Sequence, residues 1–203
     1  MRGQQTRAAI LAAARQLCSE KWLDQLSLAE LARTAGTTRA SVLFQFPEGW
    51  LDIAAELLVE EFEAWHAAAV EIARSKLKPE ERLRQLLQWV LNRGAEQGAF
   101  LPNVRAFNHV WGEMIDTAAA GSRNDAFEYV AEQLRQSVPA TVPAPELRTA
   151  AELLAFFAID LVCTPMYRRL PPNERAAKLD AAISLALAGL HQSTAAGKAA
   201  RHP

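Results

Sequence analysis

Apolar residues recur at helical spacing along almost all of this chain, and no stretch sustains the alternation of β-branched residues that a half-buried strand needs. Such a chain can bury its apolar stripes only helix against helix, so the pattern predicts an all-α fold. Ile10, Leu11, Ala14, Leu17 and Cys18 mark the stripe of a first helix. A second short helix is expected over Ser27–Thr34 and a third over Arg39–Gln45. Longer ones follow from Trp50 to about Ser75, from Pro79 to Gly94, near Val104–Asp116, over Asp125–Val138, from Glu146 to about Thr164 and from Glu174 to about His191. The small, polar tail Ser193–Pro203 is expected to fray. The change in helix length predicts two domains, 1–47 and 48–203.

Half of the 203 residues are hydrophobic, ample for a core, yet no apolar run approaches the ~20 residues that span a bilayer. The first fifteen residues mix Arg and Gln into an alanine-rich helix without a signal-peptide layout, so the cytoplasm is the expected compartment, with no membrane partner. Cys18 and Cys163 lie far apart, each in an apolar pattern. Buried reduced thiols fit that placement, and a redox role stays open. Charge is unevenly spread. Residues 1–46 hold six bases (Arg2, Arg7, Arg15, Lys21, Arg33, Arg39) against three acids (Glu20, Asp24, Glu30), a net +3 in a chain of net −1. A basic head on an acidic body suits a protein that meets phosphate at one end.

Ser27 to Phe46 carries the most specific pattern. Ser27-Leu28-Ala29-Glu30 fits a reciprocal capping box, with the serine bonding the third amide and the glutamate reaching back to the cap. Ala32 and Ala35 are small where two helices must cross closely. Gly36 supplies a tight turn, Thr38 can cap the next helix, and Val42 can lock that helix to its predecessor. This is the layout of a helix-turn-helix, whose second helix enters the DNA major groove. Ser27 would stand at the cap of the first helix. Thr37, Thr38, Arg39, Ala40, Ser41, Phe44 and Gln45 would be exposed on the second, able to reach phosphates, base edges and thymine methyls.

These residues resemble the tetracycline-repressor (TetR) family of bacterial regulators. The resemblance is carried by Thr6-Arg7-Ala8-Ala9-Ile10-Leu11-Ala12-Ala13-Ala14, by the run from Leu26 to Val42, and by Phe46-Pro47, covering about the first 55 residues. It implies a homodimer that binds an inverted-repeat, double-stranded operator and leaves it when a small-molecule effector binds. The chain departs from the family where a phosphate-touching tyrosine is replaced by Leu43, a frequent histidine by Gln45, and a lysine near the start of the fourth helix by Gly49. With those contacts missing, Arg7, Arg33 or Arg39 would have to supply salt-sensitive ones. The departures leave open a second reading, a repressor-like helical small-molecule or protein-binding module that no longer binds DNA.

The last two long helices suit a dimer seam. The helix over Glu146–Thr164 is apolar almost all round, including Leu153, Leu154, Phe156, Phe157, Ile159, Leu161 and Val162. Leu179, Ile183, Ala186, Leu187 and Leu190 stripe the helix over Glu174–His191. On pattern alone, a seam and an intramolecular core are equally good homes for these stripes. The middle of the chain is rich in aromatics. The family's effector cavity lies in that region, which marks Trp65, Trp89, Phe107, Trp111, Phe127 and Phe156 as ligand-binding candidates. Only His66, Asn103, His109, Glu113 and Asp160 accompany them as polar groups, so the effector expected is apolar or aromatic, with one or two hydrogen-bonding points. Glu63-Ala64-Trp65-His66 is a Glu-x-x-His segment without the second copy that a di-iron bundle needs. No phosphate loop, dinucleotide fingerprint, nucleophile elbow or zinc spacing occurs. The chain is therefore expected to be no enzyme and to have no cofactor and no metal site.

Overall fold

A computed structural model describes residues 2–103, 106 and 127–199, and the described residues contain helices and no strand. They form α1 (Arg2–Glu20), a 3-10 turn (Leu23–Gln25), α2 (Leu28–Thr34), α3 (Arg39–Gln45), α4 (Trp50–Ala73) and α5 (Pro79–Glu96). After these come residues 127–137 (α6), then α7 (Ala144–Cys163), α8 (Pro165–Arg168) and α9 (Pro172–Ala199). The helix expected near Val104–Asp116 falls mostly outside the described residues. Helix α9 starts earlier than the sequence suggests, because Pro172 sits in its first turn, where no donor is needed. It also continues past His191 through the alanine-rich tail to Ala199, where fraying is expected. The single turn α8 was not anticipated; Thr164 precedes Pro165, a pairing that ends α7 and restarts the chain.

The chain divides into two compact units, Met1–Glu63 with Gly94–Gly121, and Ala64–Arg93 with Ser122–Pro203. Helix α4 contributes residues to each. In the first unit, Ile10, Ala14, Leu17 and Cys18 of α1 pack with Leu31, Val42 and Phe46, with Ile53 and Leu57 of α4, and with Phe100. The C-terminal carbonyls of α1 would be orphaned in this interior, and the turn after α5 satisfies them. Asn103, fully buried, donates through Nδ2 to Cys18 O (2.7 Å) and Lys21 O (2.5 Å), and Ala99 N–H donates to Ser19 O (3.1 Å). The approach is so close that a Cβ on Gly98 would sit 2.9 Å from Ser19 O, and Gly98 itself is left-handed at φ +57°. The Asn103 amide nitrogen is thus spent on backbone, a structural role.

In the second unit, Leu83, Leu86, Leu87 and Leu91 of α5, Val130 and Leu134 of α6, and Leu154, Leu161 and Val162 of α7 are buried. Arg82 closes the end of α4 by donating to Ala73 O (3.1 Å), while its other nitrogen reaches Gln136 Oε1 (2.5 Å). Helices α7 and α9 pack on each other. The stripe Leu179, Ile183, Leu187 and Leu190 is buried within one chain, Leu187 to 9 % exposure. Of the two homes the pattern leaves open for this stripe, it takes the intramolecular one, where α7 packs on α9. The face of α9 left outward carries Leu185, 74 % exposed, flanked by Ala181, Ala188 and Gly189, while α7 exposes Leu153 and Phe156.

The two leucines of α9 should therefore behave oppositely. Leu187→Glu places a charge in the interior and should cost at least about 3 kcal/mol in urea unfolding. Leu185→Glu should leave the helical circular-dichroism spectrum intact. A second expectation concerns Cys18, whose thiol burial pushes up to about 12 against the opposing charge of Arg15. In the unfolded chain it ionises near the ordinary value of 9.0. Below pH 9 both states hold the proton and stability is unaffected. As pH rises from 9 toward 12 only the unfolded state releases it, so this contribution to stability falls. Cys18→Ala should remove that alkaline loss, and native Cys18 should resist iodoacetamide at pH 8.5 until urea unfolds the chain.

Candidate nucleic-acid interface

Two capped seven-residue helices joined by a tight turn form the surface that the sequence marks for DNA. Ser27 is extended and its hydroxyl accepts from Glu30 N–H (3.2 Å), starting α2. The other half of the expected capping box is absent. The Glu30 carboxylate turns to Lys21 Nζ (2.6 Å) and, more distantly, Arg33, because an ammonium is a stronger partner than an amide. The Lys21 hydrogen bond and charge hold that carboxyl below its usual range. Helix α2 ends as expected: Gly36 takes φ +64°, Gly36 N–H donates to Arg33 O and Thr37 N–H to Ala32 O, the double closure of a Schellman motif. Thr38 then caps α3, its hydroxyl accepting from Ser41 N–H (3.1 Å).

Helix α3 is held from behind. Val42 is fully buried, and Phe46, which closes the helix, is fully buried beneath Arg7, whose guanidinium carbon lies 4.2 Å from the ring centre. Arg7 donates to Gln45 O (2.8 Å) and pairs with Glu56 of α4. One side chain of α1 thereby ties the end of α3 to α4. Sequence reasoning offered Arg7 as a phosphate contact, but it is committed to Glu56 and to the last turn of the reading helix. Arg15, two turns along α1, repeats the device. It bonds Glu60 (2.7 Å) and Glu61 (2.5 Å) of α4 and lies 4.5 Å from the Phe100 ring centre. Burial opposes the Arg15 charge, yet the two carboxylates outweigh it and its pKa is raised. This pair of clamps is a functional feature the sequence reading missed. The available signal was Arg7 and Arg15 at eight-residue spacing on α1, opposite Glu56, Glu60 and Glu61 on α4.

With Val42 inward, the 100° step of a helix places Ala40 and Phe44 on the opposite side, with Arg39, Ser41, Leu43 and Gln45 between. The accessibilities agree: Arg39, Ala40 and Phe44 are exposed, Phe44 to 82 %, whereas Thr37, Ser41 and Gln45 are half-buried. Thr38 and Ser27 are exposed but their hydroxyls already serve as caps. No acidic residue occurs between Glu30 and Glu48, and Arg33 is 78 % exposed. At the departure from the family pattern, Gly49 is buried against Leu28, whose Cδ1 would lie 3.1 Å from a Cβ there.

The ligand candidates are less convergent. Trp65 is buried edge-on to Tyr129 (6.2 Å), and Phe127 is buried against Phe156 (5.4 Å), but Phe156 itself is 52 % exposed on the outer side of α7. Trp89 lines an open groove of about 440 Å³ with Ile72, Arg84, Gln85, Gln88, Asn92 and Asp180, a more polar setting than the sequence suggests. Phe107 and Trp111 lie outside the described residues, as do His109 and Glu113. Glu63 and His66 are both exposed, and His66 stacks edge-on against Tyr129. Among the described residues no cluster of His, Cys, Asp and Glu could hold a metal ion, and no helix is long and apolar enough to cross a membrane.

Capped helices, a Schellman turn and an outward, acid-free second helix define a helix-turn-helix protein of all-helical build. Residues 10–48 match the family described as bacterial regulatory proteins, tetR family. Solved proteins of the same fold include a transcriptional regulator from Rhodococcus sp. RHA1, at 22 % identity with a TM-score of 0.67, covering 90 % of this chain and 96 % of that one. The fatty acid degradation regulator FadR from Bacillus halodurans matches at 16 % identity and TM-score 0.69, over 89 % of this chain and 93 % of its own. RolR in complex with resorcinol matches at 16 % and 0.61, over 100 % and 96 %. No curated protein matches the chain by sequence. The chain carries the N-terminal domain of the TetR family on the helical fold of TetR-like transcriptional regulators.

The clamp and the cap can be separated by experiment. Thr38→Ala should cost about 0.5–2 kcal/mol in urea unfolding, as the loss of one N-cap bond. Arg7→Ala should cost more than Thr38→Ala, because it leaves Glu56 and the Gln45 carbonyl without their donor.

Proposed function

We propose that this chain is a ligand-responsive transcriptional regulator, a repressor that binds an inverted-repeat operator as a homodimer in the cytoplasm and is released by a small apolar or aromatic effector. The observation that carries the DNA-reading part is α3: capped by Thr38, clamped from behind by Arg7, and turned outward on an acid-free stretch that includes Arg33 and Arg39. Thr37, Thr38, Arg39, Ala40, Ser41, Phe44 and Gln45 lie against the major groove in this reading, with Ser27 at the backbone. The exposed leucines of α7 and α9 support self-association, with Leu153 and Leu185 at the seam. The effector site draws on Trp65, Trp89, Phe107, Trp111, Phe127 and Phe156. Resorcinol bound to RolR, a protein of this fold, supports a small aromatic occupant.

Helix α4 is common to both units of the chain, so an effector that favours one placement of α4 would change the separation of two reading helices. Half-sites one DNA turn apart, ~34 Å, tolerate little change in that separation. Effector and operator would then weaken each other by the same factor, typically about 5- to 150-fold.

The test uses intergenic DNA flanking the reading frame in a fluorescence-anisotropy titration across a salt series. Binding should weaken linearly in log–log form, and Arg39→Ala should reduce the slope by about one if Arg39 meets phosphate, or cost about 1–3 kcal/mol at one sequence if it reads guanine. Salt-independent affinity, or none for any flanking duplex, would overturn the reading. Light scattering should show a dimer for the native chain and a monomer for Leu185→Glu.

A further inference from the structure

The outermost line of the reading helix is apolar. Ala40 and Phe44 stand four residues apart, directly opposite the buried Val42, and Leu43 is exposed beside them. Neither Ala40 nor Phe44 has a hydrogen-bonding side chain, so the centre of this face cannot use the donor and acceptor code of the base edges. Phe44 is 82 % exposed, the largest exposure among the big apolar side chains of the described residues. Its surroundings suit a polyanionic partner such as nucleic acid: Arg39 on the same helix and Arg33 on α2 are exposed, and no carboxylate occurs between Glu30 and Glu48. Within the major groove the one apolar feature that distinguishes a base pair is the thymine 5-methyl group.

We propose that Phe44, with Ala40 and Leu43 beside it, is a specificity-determining residue that reads thymine methyl groups in each operator half-site, the flanking polar groups serving position and phosphate. This rests on the DNA-reading role given above and narrows it to a class of sequence. A ring of this size spans the methyls of one or two neighbouring thymines. A helix reading by apolar contact needs few ionic partners at its centre, which fits the presence of Arg39 as the single charge on α3.

The experiment selects tight-binding duplexes from a randomised library with the full-length chain, then replaces each thymine of the enriched sequence singly by deoxyuridine. That change removes the methyl and leaves every hydrogen-bonding edge intact. One or two positions per half-site should lose about fourfold in affinity, the equivalent of burying one methyl-sized group. Phe44→Ala should bind the all-thymine duplex more weakly by a similar factor and should no longer distinguish deoxyuridine from thymidine. Its exposure means that the substitution leaves the fold intact, checked by an unchanged circular-dichroism spectrum. If deoxyuridine costs nothing at any position, or costs the native chain and Phe44→Ala equally, the proposal is overturned while DNA binding stands. If Phe44→Ala weakens every duplex alike, the ring acts as a wedge between base steps and methyl reading is again overturned. If no duplex is enriched and binding shows no salt dependence, the DNA-reading role fails and this proposal with it.

Discussion

Two arginines eight residues apart on α1 set the geometry of the N-terminal unit. Each lies across an aromatic ring, Arg7 on Phe46 and Arg15 on Phe100, and each is also paired with one or two carboxylates of α4. An ion pair on an open surface contributes little, because water screens it and the side chains lose entropy. These are half-buried, planar, and backed by rings, so they fix direction as well as attraction. Arg7 also takes the last carbonyl of α3, which orients the reading helix relative to α1 and α4. Without that bond the helix would rest on Val42 and Phe46 alone, apolar contacts that resist separation better than rotation.

Local chemistry in this chain was legible because its partners are close in sequence. The Ser27 and Thr38 caps and the Gly36 turn depend on residues within five positions, and all are present. The helical assignment of the long segments was legible for the same reason. What the pattern could not supply was the choice among distant partners. Periodicity shows that Leu179, Ile183 and Leu187 must be covered, but a helix of the same chain and a helix of another copy satisfy that demand equally; α7 takes them, and Leu185 on the other face stays exposed. Glu30 was expected to reach back to its own cap, and Lys21 nine residues away outbids the amide. Three carbonyls at the end of α1 required donors, and Asn103 serves two of them, a pairing no local pattern announces.

The positions where the family resemblance implies phosphate contacts carry apolar groups here. At the tyrosine's position Leu43 sits next to Phe44 on an apolar strip, and at the lysine's position Gly49 is packed against Leu28. The two departures are local rearrangements toward apolar contact, and neither disturbs the capping or the turn. Apolar contacts of this kind act through water release and shape, and leave the salt dependence of binding to the arginines that meet phosphate.

The hydrophobic cluster of the N-terminal unit has a consequence for anyone exchanging readers between regulators. It does not stop at Pro47: Ile53, Ala54 and Leu57 of α4 and Phe100, far along the chain, complete it, and Asn103 seals the end of α1. A graft spliced after α3 would transplant the outer face proposed to meet DNA and abandon the inner wall on which it stands, exchanging matched shapes for voids and overlaps. The transferable module is discontinuous, residues up to about Glu63 together with the segment 97–103. The outer face of α3 can be edited in place, because its exposed side chains have no interior neighbours to offend.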